Sequence, residues 1–170
     1  PGAGLPDVTI GTATTLTLQK AKYYADVIHP IGDANLSYGQ DSLAQPAIAG
    51  AQNTGLGITS LESLVGGNEN TSVGFRAGAG IQDTHENTAV GSNALAGAAP
   101  NAVGNFNTAI GSKSMQFMNS NAANFNTAVG TYSLGQIVSG TGNIGIGHDA
   151  GFGITTGSNN IAIGRDTMLG

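Results

Sequence analysis

No cysteine occurs in the chain, which excludes a disulfide framework, a thiol nucleophile and a cysteine-built zinc site. Such a composition suits an extracellular particle that meets any redox setting. Charge is equally scarce, at 9% of residues with a net of −5. The five basic residues, Lys20, Lys22, Arg76, Lys113 and Arg165, are scattered, so no basic stripe is available to follow a nucleic-acid backbone. There is no apolar run of about 18 residues, hence no helix of membrane-spanning length. No signal peptide is visible; the chain opens at Pro1 without an initiator Met, which is compatible with removal of a leader. Aromatics make up only 5% of residues and leucine, isoleucine and valine are sparse, so a single chain has little with which to build a conventional core.

What is abundant is glycine, 28 of 170 residues, and repetition. A nine-residue phrase returns eight times: Asn, any residue, a small residue, an apolar residue, Gly, two variable residues, a small residue, then Leu, Met or Gly. It begins at Asn35, Asn53, Asn70, Asn87, Asn107, Asn126, Asn143 and Asn160, at spacings of 18, 17, 17, 20, 19, 17 and 17 residues. A period in that range marks a solenoid, in which each repeat is one coil that buries its apolar side by stacking on its neighbours. A flexible glycine-rich linker is the simpler explanation of the composition. It fails on the fixed apolar column and on 39% hydrophobic against 9% charged residues, too apolar for a solvated tail.

The columns state what the coil requires. Position three is always small, from Ser37 through Ala162, and position four is large and mostly aliphatic, from Tyr38 through Ile163. Position five is invariably glycine: Gly39, Gly57, Gly74, Gly91, Gly111, Gly130, Gly147 and Gly164. Small–large alternation is strand patterning, and the large fourth-position side chain is expected to point inward. The obligatory glycine implies a positive φ or a backbone packed too closely for a Cβ. The leading asparagine is expected to hydrogen-bond backbone and the matching asparagine one coil away. Eight coils at a strand spacing of ~4.8 Å would rise roughly 40 Å.

Asn87-Thr88-Ala89-Val90-Gly91 and Asn160-Ile161-Ala162-Ile163-Gly164 resemble the head repeat of trimeric autotransporter adhesins. They are still more similar to the N-T-A-[VI]-G repeats of bacteriophage tail fibres, many of which end in a self-cleaving chaperone domain. The resemblance covers about residues 35 to 170, and the long period favours the fibre. It implies a left-handed parallel β-solenoid, or β-roll, whose coils pack around a threefold axis with two identical chains. Two departures stand out. Tyr38 occupies the apolar column, and insertions lengthen the coils before Asn107 and Asn126. These insertions, both carrying Asn-Phe just before the repeat (Asn105-Phe106, Asn124-Phe125), are expected to bulge on one side.

Residues 1 to 34 are a separate segment. Val8, Ile10, Leu16 and Leu18 alternate, so Asp7 to Gln19 reads as one long strand or two stacked ones, and Lys20 to Ile31 as a cap, a junction to an upstream fibre domain or a crossing strand. No cap follows the last repeat, from which a fragment, a processed product or an end covered by another subunit is expected.

Chemical motifs are weak. Gly142 to Gly147, G-N-I-G-I-G, has neither the helix nor the distal acidic residue of a nucleotide fingerprint, and the repeat explains its glycines. Asp83-Thr84-His85-Glu86 is the densest ionisable cluster but falls where a coil turns. His148-Asp149 holds the variable positions six and seven and should face outward, and no column keeps the aspartate that calcium-binding rolls need in each turn. The sequons at Asn35 and Asn70 lie inside the phrase and read as structural. No catalytic residue, cofactor site or metal site is expected.

Three functions fit. One is a segment of an extracellular homotrimeric fibre for host attachment, joined to neighbouring fibre domains. The second is the head or stalk of a trimeric bacterial surface adhesin or a self-assembling filament. The third is a flat ice-binding type of surface, on the column Thr54, Thr71, Thr88, Thr108 and Thr127. Ligand contact, for instance with a host glycan, is expected at variable positions and turns: Arg76, Asn93, Lys113, Tyr132, His148, Arg165 and the Asn-Phe insertions, with Phe106, Phe125 and Tyr132 as aromatic faces for sugar rings. The alternative for the phenylalanines is packing under turns or between subunits.

Overall fold

A computed structural model describes residues 29–31, 34–45, 48–97, 103–120 and 122–169. The expected strand at Asp7 to Gln19 and most of the Lys20 to Ile31 segment lie outside them. The molecule is an all-β solenoid. Eight short strands, one per repeat, stack in parallel in chain order: β2 (Asn35–Tyr38), β3 (Thr54–Leu56), β4 (Thr71–Val73), β5 (Thr88–Val90), β6 (Thr108–Ile110), β7 (Thr127–Val129), β8 (Ile144–Ile146) and β9 (Ile161–Ile163). Register is kept throughout, Thr54 facing Thr71, Thr71 facing Thr88 and Thr88 facing Thr108. Coils of 17, 18 and 20 residues therefore deliver their strands to the same place. At one end β1 (His29–Ile31) runs antiparallel to β2, with His29 beside Ser37 and Ile31 beside Asn35. It supplies a partner for a strand edge that would otherwise be open.

The interior reverses one expectation. The small third-position residues point inward: Ala89, Ala109 and Ala128 are fully buried. The large fourth-position side chains face out, with Ile110 and Ile146 each 41% and Ile163 63% exposed. Adjacent strand residues face opposite ways, so small–large alternation is compatible with either orientation. What decides it is the rest of the coil. The inward space is already taken by position nine (Leu43, Leu61, Leu95, Met115, Leu134) and by residues eleven after the asparagine (Leu64, Ile81, Met118, Ile137, Ile154), all buried. A third-position side chain lands on this layer. A Cβ on Gly145 would meet Leu134 Cγ at 2.9 Å, and one on Gly55 would meet Ser42 Oγ at 2.8 Å. Each fully buried Leu, Ile or Met contributes about 1.5–3 kcal/mol, and the narrow coil holds about two per turn.

Corners are made by left-handed backbone at three places in each coil: the residue before the asparagine (Gln52 φ 59, Glu69 φ 58, Phe125 φ 57), position seven (Arg76 φ 54, Tyr132 φ 58) and position nine (Leu61 φ 52, Met115 φ 47). Left-handed conformations are costly for ordinary residues. Here most are held by a backbone hydrogen bond to a neighbouring coil, as in Glu69 N–H to Ala51 O (3.0 Å), Arg76 N–H to Ile58 O (3.0 Å) and Leu61 N–H to Ala77 O (3.0 Å). Position five obeys its expectation. Its glycines have φ between 112 and 135, a region closed to L side chains, and a Cβ on Gly111 would lie 2.6 Å from the backbone of Gly130.

Candidate functional site

Two polar ladders run along the rod. In the first, each repeat asparagine is a rung. Asn53 Oδ1 accepts from Asn70 N–H (2.9 Å) and from Asn70 Nδ2 (3.0 Å), while Asn70 Nδ2 also donates to Thr84 O (2.8 Å). The same pattern links Asn35 to Asn53, Asn107 to Asn126, Asn126 to Asn143 and Asn143 to Asn160. Asn87 accepts the Asn107 backbone N–H at 2.9 Å. Seven of these side chains are essentially sealed from solvent, so the ladder satisfies amides whose desolvation would otherwise be costly. Asn35 and Asn70 are among them, which removes both sequons from the surface.

The second ladder, two residues before each asparagine, escaped the sequence reading. Asn68 Oδ1 accepts from Ala51 N–H (2.7 Å), His85 Nδ1 from Asn68 N–H (3.0 Å), Asn105 Oδ1 from His85 N–H (2.8 Å), Asn124 Oδ1 from Asn105 N–H (2.7 Å) and Ser158 Oγ from Thr141 N–H (3.0 Å). The Asp83–Glu86 cluster dissolves into these structural duties. Asp83 is exposed and its Oδ1 accepts from Gly66 N–H (3.0 Å), Thr84 is buried, His85 is a rung, and Glu86 faces solvent.

The Asn-Phe pairs do not bulge. Asn105 and Asn124 are rungs of the second ladder, and Phe106 and Phe125 occupy the corner column directly before the asparagines, in register with Glu69 and Glu86. The extra residues of the longer coils therefore fall earlier, before Val103 in one and before Ala122 in the other. The two rings stack face to face, 4.8 Å apart and 1° from parallel, 41% and 59% exposed.

Variable positions six and seven face outward, as expected. Arg76 pairs with Glu62 at 3.4 Å, and Asn93 Nδ2 donates to Ser92 Oγ at 3.0 Å. Lys113 Nζ donates to Tyr132 OH at 2.7 Å and lies 5.0 Å from its ring centre, while Phe152 meets Tyr132 edge-on at 6.2 Å. Tyr132 is thus partly occupied by its neighbours. Beyond it, Tyr132, His148, Asp149, Phe152, Asp166 and Leu169 line an open hollow of about 400 Å³. His148 Nδ1 lies 2.9 Å from Asp149 Oδ2 and 3.8 Å from Asp166 Oδ1, and Arg165 Nε lies 3.3 Å from Asp166 Oδ2. One carboxylate of this group already has a cationic neighbour; His148 and Asp166 are exposed to water and Asp149 is half-buried.

The outward face of the sheet is a continuous surface along the stacked strands. Positions two and four both point away from the coil, so threonines 54, 71, 88, 108 and 127 lie beside an aliphatic row, flanked at the two ends by exposed Leu36 and Ile161. No protein-family model, characterised protein or solved structure matches the chain.

Proposed function

We propose that this chain is a shaft segment of an extracellular fibre built from three parallel copies, of the kind that bacteriophage tail fibres use for host attachment. The observation that carries the reading is the fourth-position column. From Tyr38 through Val73, Ile110 and Ile146 to Ile163 it puts one large apolar side chain per coil on the outside. A soluble monomer rarely keeps so long an apolar row in water. Identical parallel copies bring identical rows together around a rotation axis, and the repeat's likeness to trimeric fibres supports threefold packing and left-handed winding. The head of a trimeric bacterial adhesin would use the same assembly. It is distinguished by what the parent chain carries, a membrane-barrel anchor or a tail-tip chaperone. On either reading the rod holds and spaces; the buried ladders and the mutually engaged surface residues support a structural rather than a catalytic role.

Light scattering on the purified chain tests the assembly. A mass three times the 16.8 kDa chain is expected at micromolar concentration, and a stable, well-folded monomer sinks the proposal. A monomer that also lowers the freezing point relative to the melting point would favour the flat threonine face as an ice-binding surface. The in-register Thr54–Thr127 row on β3 to β7 is what gives that second reading its footing.

A further inference from the structure

The corner column directly before the asparagines reads, from one end, Ala34, Gln52, Glu69, Glu86, Phe106, Phe125, Gly142 and Asn159. It is a solvent-facing column by composition: Gln52, Glu69, Glu86 and Asn159 are all exposed. Two adjacent carboxylates in one column are poor material for an apolar subunit contact, because burying them unpaired is costly. Against that background two adjacent phenylalanines are anomalous. They are exposed rather than part of the core, and they stack on each other.

The stack is also one-sided. Phe106 has Phe125 on the next rung, whereas Phe125 is followed by Gly142, which has no side chain, and then by Asn159. Phe125 is accordingly the more exposed ring, at 59% against 41%. Gly142 puts no side chain of its own on the open face of Phe125. Only the tip of the Asn159 amide reaches into this rung, its Oδ1 lying 2.8 Å from where a Cβ of Gly142 would be. The second ladder runs alongside with Asn124 and Thr141.

We infer that this rung is a carbohydrate subsite: the open face of Phe125 stacks a neutral hexopyranose of a cell-surface glycan, with the Asn159 amide within reach of its hydroxyls. A chair-form sugar presents axial C–H groups on one face, and these complement the electron-rich face of an aromatic ring. Neutral sugars are favoured over acidic ones by Glu86 on the rung next to Phe106 and by the net charge of −5. The inference rests on the reading of the rod as an attachment fibre.

Saturation-transfer NMR on the whole chain, with neutral trisaccharides of glucose, mannose, galactose or N-acetylglucosamine as probes, tests it. Transfer to ring C–H protons is expected for at least one probe. Phe125→Ala should weaken it about tenfold, the scale of one lost aromatic stack. Gly142→Asn should weaken it as much with the phenylalanine stack intact, because it puts a side chain beside the open face of Phe125 and displaces only the tip of the Asn159 amide, in a residue type that already adopts left-handed φ at Asn159 (φ 59). Both variants should keep the wild-type mass and melt cooperatively, Phe125→Ala at a slightly lower midpoint because it loses the stack on Phe106. Absence of transfer to all four sugars from folded protein overturns the subsite, as does transfer that neither variant reduces. If Phe125→Ala dissociates the assembly, the rings are subunit packing and the inference fails. A wild-type monomer showing Phe125-dependent transfer overturns the fibre while keeping the subsite.

Discussion

Ser72 and Asn70 sit two residues apart and illustrate opposite fates of a buried polar side chain. Ser72 holds position three, fully buried, and its Oγ makes no hydrogen bond among the described residues. Alanine fills the same position at Ala89, Ala109 and Ala128, so Ser72→Ala removes an unsatisfied hydroxyl and leaves no cavity of consequence. It is expected to stabilise the fold by about 1 kcal/mol, read as a raised midpoint in thermal or urea unfolding. Asn70 accepts with Oδ1 from Asn87 and donates with Nδ2 to Asn53 Oδ1 and Thr84 O. Asn70→Asp keeps the size but points oxygen at two acceptors and buries a charge. A loss of at least about 3 kcal/mol is expected, whereas Asn93→Asp, on the surface, should change stability by less than about 0.5 kcal/mol. Equal unfolding midpoints for the two aspartate variants would show that the ladder is not a stabilising element.

At the scale of the strand, the question is which of two faces is inside. The repeat, its asparagine rungs and its glycine column were legible in the sequence because each demands one residue type. The facing of the strand was not. A period of two separates Ala109 from Ile110 without saying which is buried, and the answer comes from Met115 and Met118 across the coil, which fill the interior and leave room only for a methyl group. The second ladder was hidden for a different reason. It asks only for an acceptor of suitable reach, so asparagine, histidine and serine all serve, at Asn68, His85 and Ser158, and no column of identical letters forms. The placement of the Asn-Phe pairs was misread because insertion length says how many residues are extra but not which. The inverted facing makes a clean test. Ala109→Ile should overpack the interior and cost about 1–3 kcal/mol. Ile110→Ala should leave the circular dichroism of the coil intact and weaken only association. The reverse ranking would restore the inward fourth position.

At the scale of the molecule, stability and assembly separate along the same line. The interior supplies about two large side chains per coil, a thin core that neighbour stacking extends but does not thicken. Burial of the outward row in a homotrimer would make folding and assembly concentration-linked. The double variant Ile110→Lys with Ile146→Lys places like charges at 41%-exposed positions that would face their own copies across the axis of the proposed trimer. It is expected to shift sedimentation from trimer to monomer and to lower the melting midpoint by several degrees, with strand content retained until melting. A trimer that survives both lysines would place the subunit contact on another side of the coil.

The bonds between coils are not confined to the sheet. Among the described residues the strand, the glycine bend, the two ladders and the left-handed corners all tie coils together, so the bonds between coils are spread as a ring around the perimeter. Under tension along its axis, such a rod has no slack to release. A pull loads the whole ring together, and no single corner can yield far without its neighbours. The rod should therefore transmit force stiffly up to a threshold and then part at one interface in a single event. That is the behaviour of a strut, not a spring, and in the proposed fibre it would hold a fixed distance between the parts at its two ends.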